Sequence, residues 1–207
     1  MYNEQIIENI KNRIKNHLKG ESSGHDWPHT FRVYKNSIKI AKSEAENQNL
    51  KLNFFILELS ALLHDIADHK FGYTDTDREV MITDILKGEG VPSEDINKVI
   101  HIVNNVSFSK GNIPDTLEGK IVQDADRIDA IGAIGIARTF AYGGTKGREM
   151  YIPENSDGSD SIYHFYEKLL LLKDKLNTKT AYNMALERNR FMEKFLEEFY
   201  KEWNCEE

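Results

Sequence analysis

Leu62-Leu63-His64-Asp65-Ile66 puts an imidazole and a carboxylate at the end of an apolar run, where burying both is costly unless something compensates them. Asp68 follows four residues after His64 and three after Asp65. On a helix continuing that far, all three would share one side of a turn. Carboxylates held that close repel, and a divalent cation is the simplest group that makes the arrangement favourable. Alone, the pair is equally well explained as an exposed helix end, so the rest of the chain has to decide.

Two other segments offer partners. His29 stands in His25-Asp26-Trp27-Pro28-His29-Thr30-Phe31-Arg32-Val33, one position inside the proline that opens a helix, and Arg32 follows at i+3 on the same face. A single histidine near a helix start is more often a surface residue, so His29 counts only in company. The stretch from Ile121 to Phe140 threads Asp124, Asp126 and Asp129 among apolar residues, an unusual placement for acids. Pairing with Arg127 and Arg138, or capping, would absorb Asp124 and Asp129. Asp126 is the better ligand candidate, with Asp124 the competing one. The second pair, His25-Asp26, lacks an apolar run before it, and Asp26 reads as a helix cap. Imidazoles and carboxylates together suit Mn²⁺ first, then Fe²⁺, Co²⁺, Ni²⁺ or Zn²⁺, with Mg²⁺ less favoured because it prefers oxygen.

The elements that must hold these residues are helical. Ile6, Ile7, Ile10, Ile14 and Leu18 fall on one helical face, and Gly20 stands where a helix stops. A second helix runs from Pro28 to about Glu46 with Phe31, Tyr34, Ile38 and Ala41 inward. Asn53 to Ile66 is apolar around most of its circumference, which only a helix enclosed by others can bury. Further helical patterns cover residues 76–87, 93–106, 117–129, 131–142, 160–176 and 178–203, with Ser93 and Thr178 as N-caps. Gly132 and Gly135 allow close helix approach, and Gly143 to Ser161 reads as a long loop. The fold class expected is all-α, a single-domain helical bundle over residues 1–207 whose C-terminal helices complete the core. Phe191, Phe195, Phe199, Tyr200 and Trp203 are expected to pack internally, the other use being a homodimer interface.

Composition narrows the function classes. Hydrophobic residues are 40% and charged residues 29% of the 207, the balance of a soluble globular chain. A formal net charge of −7 argues against a broad footprint for nucleic-acid polymers or anionic membranes. A phosphate-bearing ligand then needs local positive charge, which a metal supplies. The sole cysteine, Cys205, forms no intrachain disulfide, and with no apolar leader or span this favours a cytoplasmic location.

The order His29, His64-Asp65, Asp126 resembles the pattern of the HD-domain phosphohydrolase superfamily. The segments around His29, His64 and Asp126, with Ile162 to Thr178, resemble its small bacterial YedJ/YpgQ-type branch over roughly residues 20–203. The resemblance implies an HD-type bundle and one divalent metal held by His29, His64, Asp65 and Asp126. Members with two metals use further histidines after the namesake pair; His101 is available here, but no paired histidines follow it. Asp68 stands where the family often has an acidic residue and would take a proton from a metal-activated water. Arg32, Lys70, Lys146 and Arg148 are candidate contacts for a phosphate ester. The branch implies a nucleotide pyrophosphohydrolase acting on (deoxy)nucleoside triphosphates. The alternatives are a nucleotide 5′-monophosphatase, a cyclic-nucleotide phosphodiesterase, or a non-catalytic nucleotide-binding signalling module.

Overall fold

The computed structural model describes residues 2–20, 26–48, 51–67, 72–106, 112–153 and 158–206. Among these residues the chain is all-α, with no strand. Its Cα positions gather into two compact units, Met1–Ala125 and Asp126–Glu207. The division falls inside one continuous helix.

The first unit is organised by its most apolar element. Helix α1 covers Tyr2–His17 and α2 covers Trp27–Gln48. The central α3, Phe54–Leu63, buries Ile56, Leu57, Leu59, Ala61, Leu62 and Leu63 and packs against α1, α2 and α5. Its start is fixed by Asn53, whose side chain accepts the Ile56 N–H at 3.2 Å. Gly20, with φ +90°, follows α1, and Asp26 accepts the His29 N–H at 2.9 Å, the cap its sequence context implies.

α3 stops at Leu63, three residues short of the periodicity. The His64 ring bonds the Ala61 carbonyl at 2.9 Å, and the Ile66 N–H reaches only to Leu63, at 3.2 Å. This tightened last turn satisfies terminal carbonyls without continuing the helix. Residues 64–67 therefore form a turn, and the helical spacing expected for Asp68 does not carry through it. Asp68 itself lies outside the described residues.

Helix α4, Asp75–Gly88, opens on a capping box. The Thr74 side chain accepts the Asp77 N–H at 3.1 Å, and the Asp77 carboxylate accepts the Thr74 N–H at 2.8 Å. It packs on α5, Ser93–Val106. Ser93 is the first helical residue there rather than a cap, because the Pro92 carbonyl takes the N–H groups of Asp95 and Ile96. Helix α6, Leu117–Asp129, begins in this unit.

In the second unit α6 is followed by α7, Gly132–Thr145, α8, Tyr163–Glu167, a 3₁₀ helix, Leu169–Lys175, and α9, Lys179–Trp203. Gly132 has φ +80°, and a Cβ on Gly135 would overlap the Ala130 carbonyl, so the α6–α7 corner needs both glycines. The single helix expected over 160–176 is broken at Lys168, which has φ −136°. The Leu170 carbonyl accepts from Asn189 at 3.4 Å and the Lys175 carbonyl accepts from Arg127. Thr178 caps α9 as expected, accepting the Ala181 N–H at 3.3 Å. Phe195 packs among Phe140, Phe165 and Phe199, and Tyr151 among Phe199, Tyr200 and Trp203. Phe191, by contrast, is 52% exposed. The ends of the Gly143–Ser161 loop are joined where the Ser161 and Ile162 N–H groups bond the Glu149 and Met150 carbonyls, at 3.0 and 3.1 Å.

Two outcomes follow. Leu63→Ala, at a fully buried position, should cost about 2–5 kcal/mol in urea denaturation. Burial, with the nearby charges of Lys168 and Arg148, holds the His164 pKa below its ordinary value against the opposing effect of Glu167. The unfolded chain therefore takes up that proton first. The contribution is intact above about pH 6.5 and is lost as pH falls through the histidine range. His164→Gln should flatten that limb of the stability profile between about pH 7.5 and 5.5.

Candidate metal centre

Three elements bring the donor atoms together. His29 sits in the first turn of α2, anchored through Asp26, with its side chain 1% exposed. His64 and Asp65 sit in the turn closing α3, their side chains 2% and 16% exposed. Asp126 sits near the end of α6. Ligating atoms of His29, His64 and Asp126 all lie within 4.8 Å of one another. Asp65 joins through the two rings: its Oδ2 is 3.2 Å from His29 Nε2 and 3.4 Å from His64 Nε2, and the two Nε2 atoms are 3.4 Å apart.

The hydrogen bond to Ala61 decides which nitrogen of His64 is available. A carbonyl oxygen only accepts, so Nδ1 carries the hydrogen and, in the neutral ring, Nε2 keeps its lone pair toward His29 and Asp65. A ring nitrogen tied to a backbone carbonyl with its partner directed at a ligand position is the arrangement that orients metal-binding histidines. Spacing agrees as well. Ligands about 2.0–2.2 Å from a common ion, at angles between octahedral and tetrahedral, lie roughly 2.8–3.6 Å apart, and the three separations among His29, His64 and Asp65 fall in that range. The residues present fit a divalent cation.

The other acids of α6 are spoken for differently. Asp129, 1% exposed, pairs with Arg138 at 2.8 Å. Asp124 is fully buried and, unlike Asp126, does not enter the grouping with the histidines. His101 pairs with Asp115 at 2.8 Å and lines a hollow of about 520 Å³ with Asn53, Ile56, Ile102, Thr116 and Glu118, none of which belongs to the His–Asp group.

A family model for the HD domain matches residues 27–131, a span that contains His29, His64, Asp65 and Asp126. The chain belongs to the HD-domain family. The Bacillus subtilis protein YpgQ is 42% identical over 199 residues, covering 94% of this chain and 92% of YpgQ. A crystal structure of an HD-superfamily hydrolase from Bacillus thuringiensis superposes with a TM-score of 0.80 at 44% identity, covering 98% of each chain. YpgQ in complex with ADP superposes with a TM-score of 0.79 at 36% identity, covering 98% of this chain and 97% of that one. The protein is thus an HD-domain enzyme, a metal-dependent phosphohydrolase, and the resemblance read from its motifs holds. No described helix is long and apolar enough to cross a membrane.

The remaining candidates are placed as follows. Arg32 is half-buried one turn beyond His29 on α2. Lys146 ends α7 with its ammonium 5.6 Å from the Tyr142 ring centroid. Arg148 is exposed, its N–H bonded to the Gly143 carbonyl at 2.9 Å. Lys70, like Asp68, lies outside the described residues. The motifs did not disclose the Ala61 carbonyl or Arg78, whose Nε donates to the Ala67 carbonyl at 3.2 Å. A Thr-x-x-Asp capping box just before that arginine was the available signal.

Long-range ¹H–¹⁵N correlation spectra should show His64 with hydrogen on Nδ1 and none on Nε2 at pH 8. The reverse tautomer would contradict the Ala61 bond.

Proposed function

We propose that this enzyme hydrolyses (deoxy)nucleoside triphosphates to the monophosphate and pyrophosphate, using one divalent cation, preferentially Mn²⁺, held by His29, His64, Asp65 and Asp126. The observation that carries the reading is the grouping of His29, His64 and Asp126, with Asp65 against both imidazoles. The nucleotide class is supported by YpgQ, which crystallised in complex with ADP.

When bound, such a cation supplies Lewis acidity, bringing the pKa of a water toward neutrality and offsetting charge on phosphate oxygens. The chain's own residues do the rest. The Ala61 carbonyl keeps His64 Nε2 free of hydrogen. The carboxylates of Asp65 and Asp126 retain the cation by charge. Arg32, on the face of α2 that carries His29, faces phosphate oxygens with its planar fork of donors. Lys70, Lys146 and Arg148 are assigned to the same charge on sequence grounds. Asp68, also on sequence grounds, takes the proton from the attacking water. The water oxygen forms a bond to the α-phosphorus, the bond from that phosphorus to the oxygen bridging toward the β-phosphorus breaks, and pyrophosphate leaves with the electron pair.

Purified protein with Mn²⁺ should convert triphosphates in a nucleotide panel to monophosphate and pyrophosphate, resolved by ion-exchange chromatography. His64→Ala and Asp126→Ala should each lose more than about 100-fold in kcat/KM, since even residues behind the ligands cost 10–100-fold. Release of orthophosphate alone, or turnover unaffected by either substitution, overturns the reading.

A further inference from the structure

The turn that carries His64 and Asp65 has no helix to hold it, because α3 ends at Leu63. What holds it comes from α4. Arg78 is 4% exposed, and its guanidinium makes three separate bonds. Nε donates to the Ala67 carbonyl at 3.2 Å, and one terminal nitrogen donates to Asp75 at 3.0 Å and Asn104 at 3.4 Å. Asn104, on α5, in turn donates to Glu79 at 2.8 Å, so the arginine is tied to α5 as well as to its own helix. The Thr74–Asp77 capping box sets where α4 begins and hence where Arg78 stands.

A buried arginine is costly unless its donors are used. Here one of them is spent on the last carbonyl of the His64–Ala67 turn. That bond holds the Ala67 carbonyl in one direction, and with it the path of the turn. The same turn is closed at its other end by the Ala61 and Leu63 carbonyls. His64 and Asp65 thus lie between two fixed points.

We infer that Arg78 is a positioning residue for the metal centre: its bond to the Ala67 carbonyl presets the His64-Asp65 turn, and metal affinity depends on it. The inference rests on the metal reading above. An arginine serving only to fill the α4–α5 interface would affect stability without affecting the ion.

The test measures Mn²⁺ binding by the full-length chain, from the electron paramagnetic resonance signal of free Mn²⁺, beside thermal melting of the metal-free protein. The variants are Arg78→Ala, Arg78→Lys, His64→Ala and Ile82→Ala. Ile82 is a fully buried residue one turn further along α4, and its truncation loosens the same helix while leaving the bond from Arg78 to the Ala67 carbonyl in place. Arg78→Lys keeps the measurement available if Arg78→Ala does not fold. The expected result is that both Arg78 variants weaken Mn²⁺ binding by roughly 10–100-fold, the range for residues that orient ligands. Lysine should retain more affinity than alanine, and Ile82→Ala should lower melting temperature while keeping affinity within about twofold of the parent. Arg78 variants that bind like the parent, or Ile82→Ala weakening binding as much as they do, overturn the role of Arg78 alone. A parent chain that binds no Mn²⁺, or His64→Ala binding as tightly as the parent, overturns the metal reading and this inference together.

Discussion

Helix α3 is apolar around most of its circumference, and the first unit is arranged around it. A helix so apolar is stable only when neighbours cover it, and α1, α2 and α5 pack against it. Whatever follows Leu63 is therefore delivered to the interior. The residue that follows is a histidine, so both ring nitrogens need partners in a place from which water is largely excluded. One finds the Ala61 carbonyl and the other faces His29 and Asp65. Burial of the helix thus produces a directed lone pair.

This arrangement lets an acidic protein handle an anionic substrate. With a net charge of −7, long-range attraction of phosphates is weak, and the work falls to charges at close quarters. Asp126 groups with the two imidazoles and Asp65 lies against the same rings, an arrangement that would concentrate negative charge around a bound cation. A divalent cation held there would reverse the sign of the field seen by a phosphate. Asp129 is kept out of this by its bond to Arg138, so the acids of α6 have separate duties although they share one helix.

Much of this could be read in the sequence, for physical reasons that differ by feature. The helices at 93–106 and 117–129 were legible because their apolar spacing is strong and their ends carry turn chemistry. His64, Asp65 and His29 were legible because polar ligands beside apolar runs are anomalous. The early end of α3 was not, because it depends on a side chain bonding backwards onto the Ala61 carbonyl, which competes with a helix that periodicity alone would extend. The break at Lys168 was hidden for a similar reason: Asn189 takes the Leu170 carbonyl, which a continuous helix over 160–176 would use. Choosing between Asp124 and Asp126 depends on the helical phase of α6, because the two stand two residues, about 200°, apart around the helix.

The two backbone bonds joining Glu149 to Ser161 and Met150 to Ile162 have a bearing on how this chain can vary. The buried Asp160 adds to this closure, accepting the Ile152 and Tyr163 N–H groups at 3.3 and 2.7 Å. Bonds between main-chain atoms do not depend on side-chain identity. The exposed Glu149 and Met150 can therefore be exchanged while the closure is kept, whereas Asp160, which acts through its carboxylate, cannot.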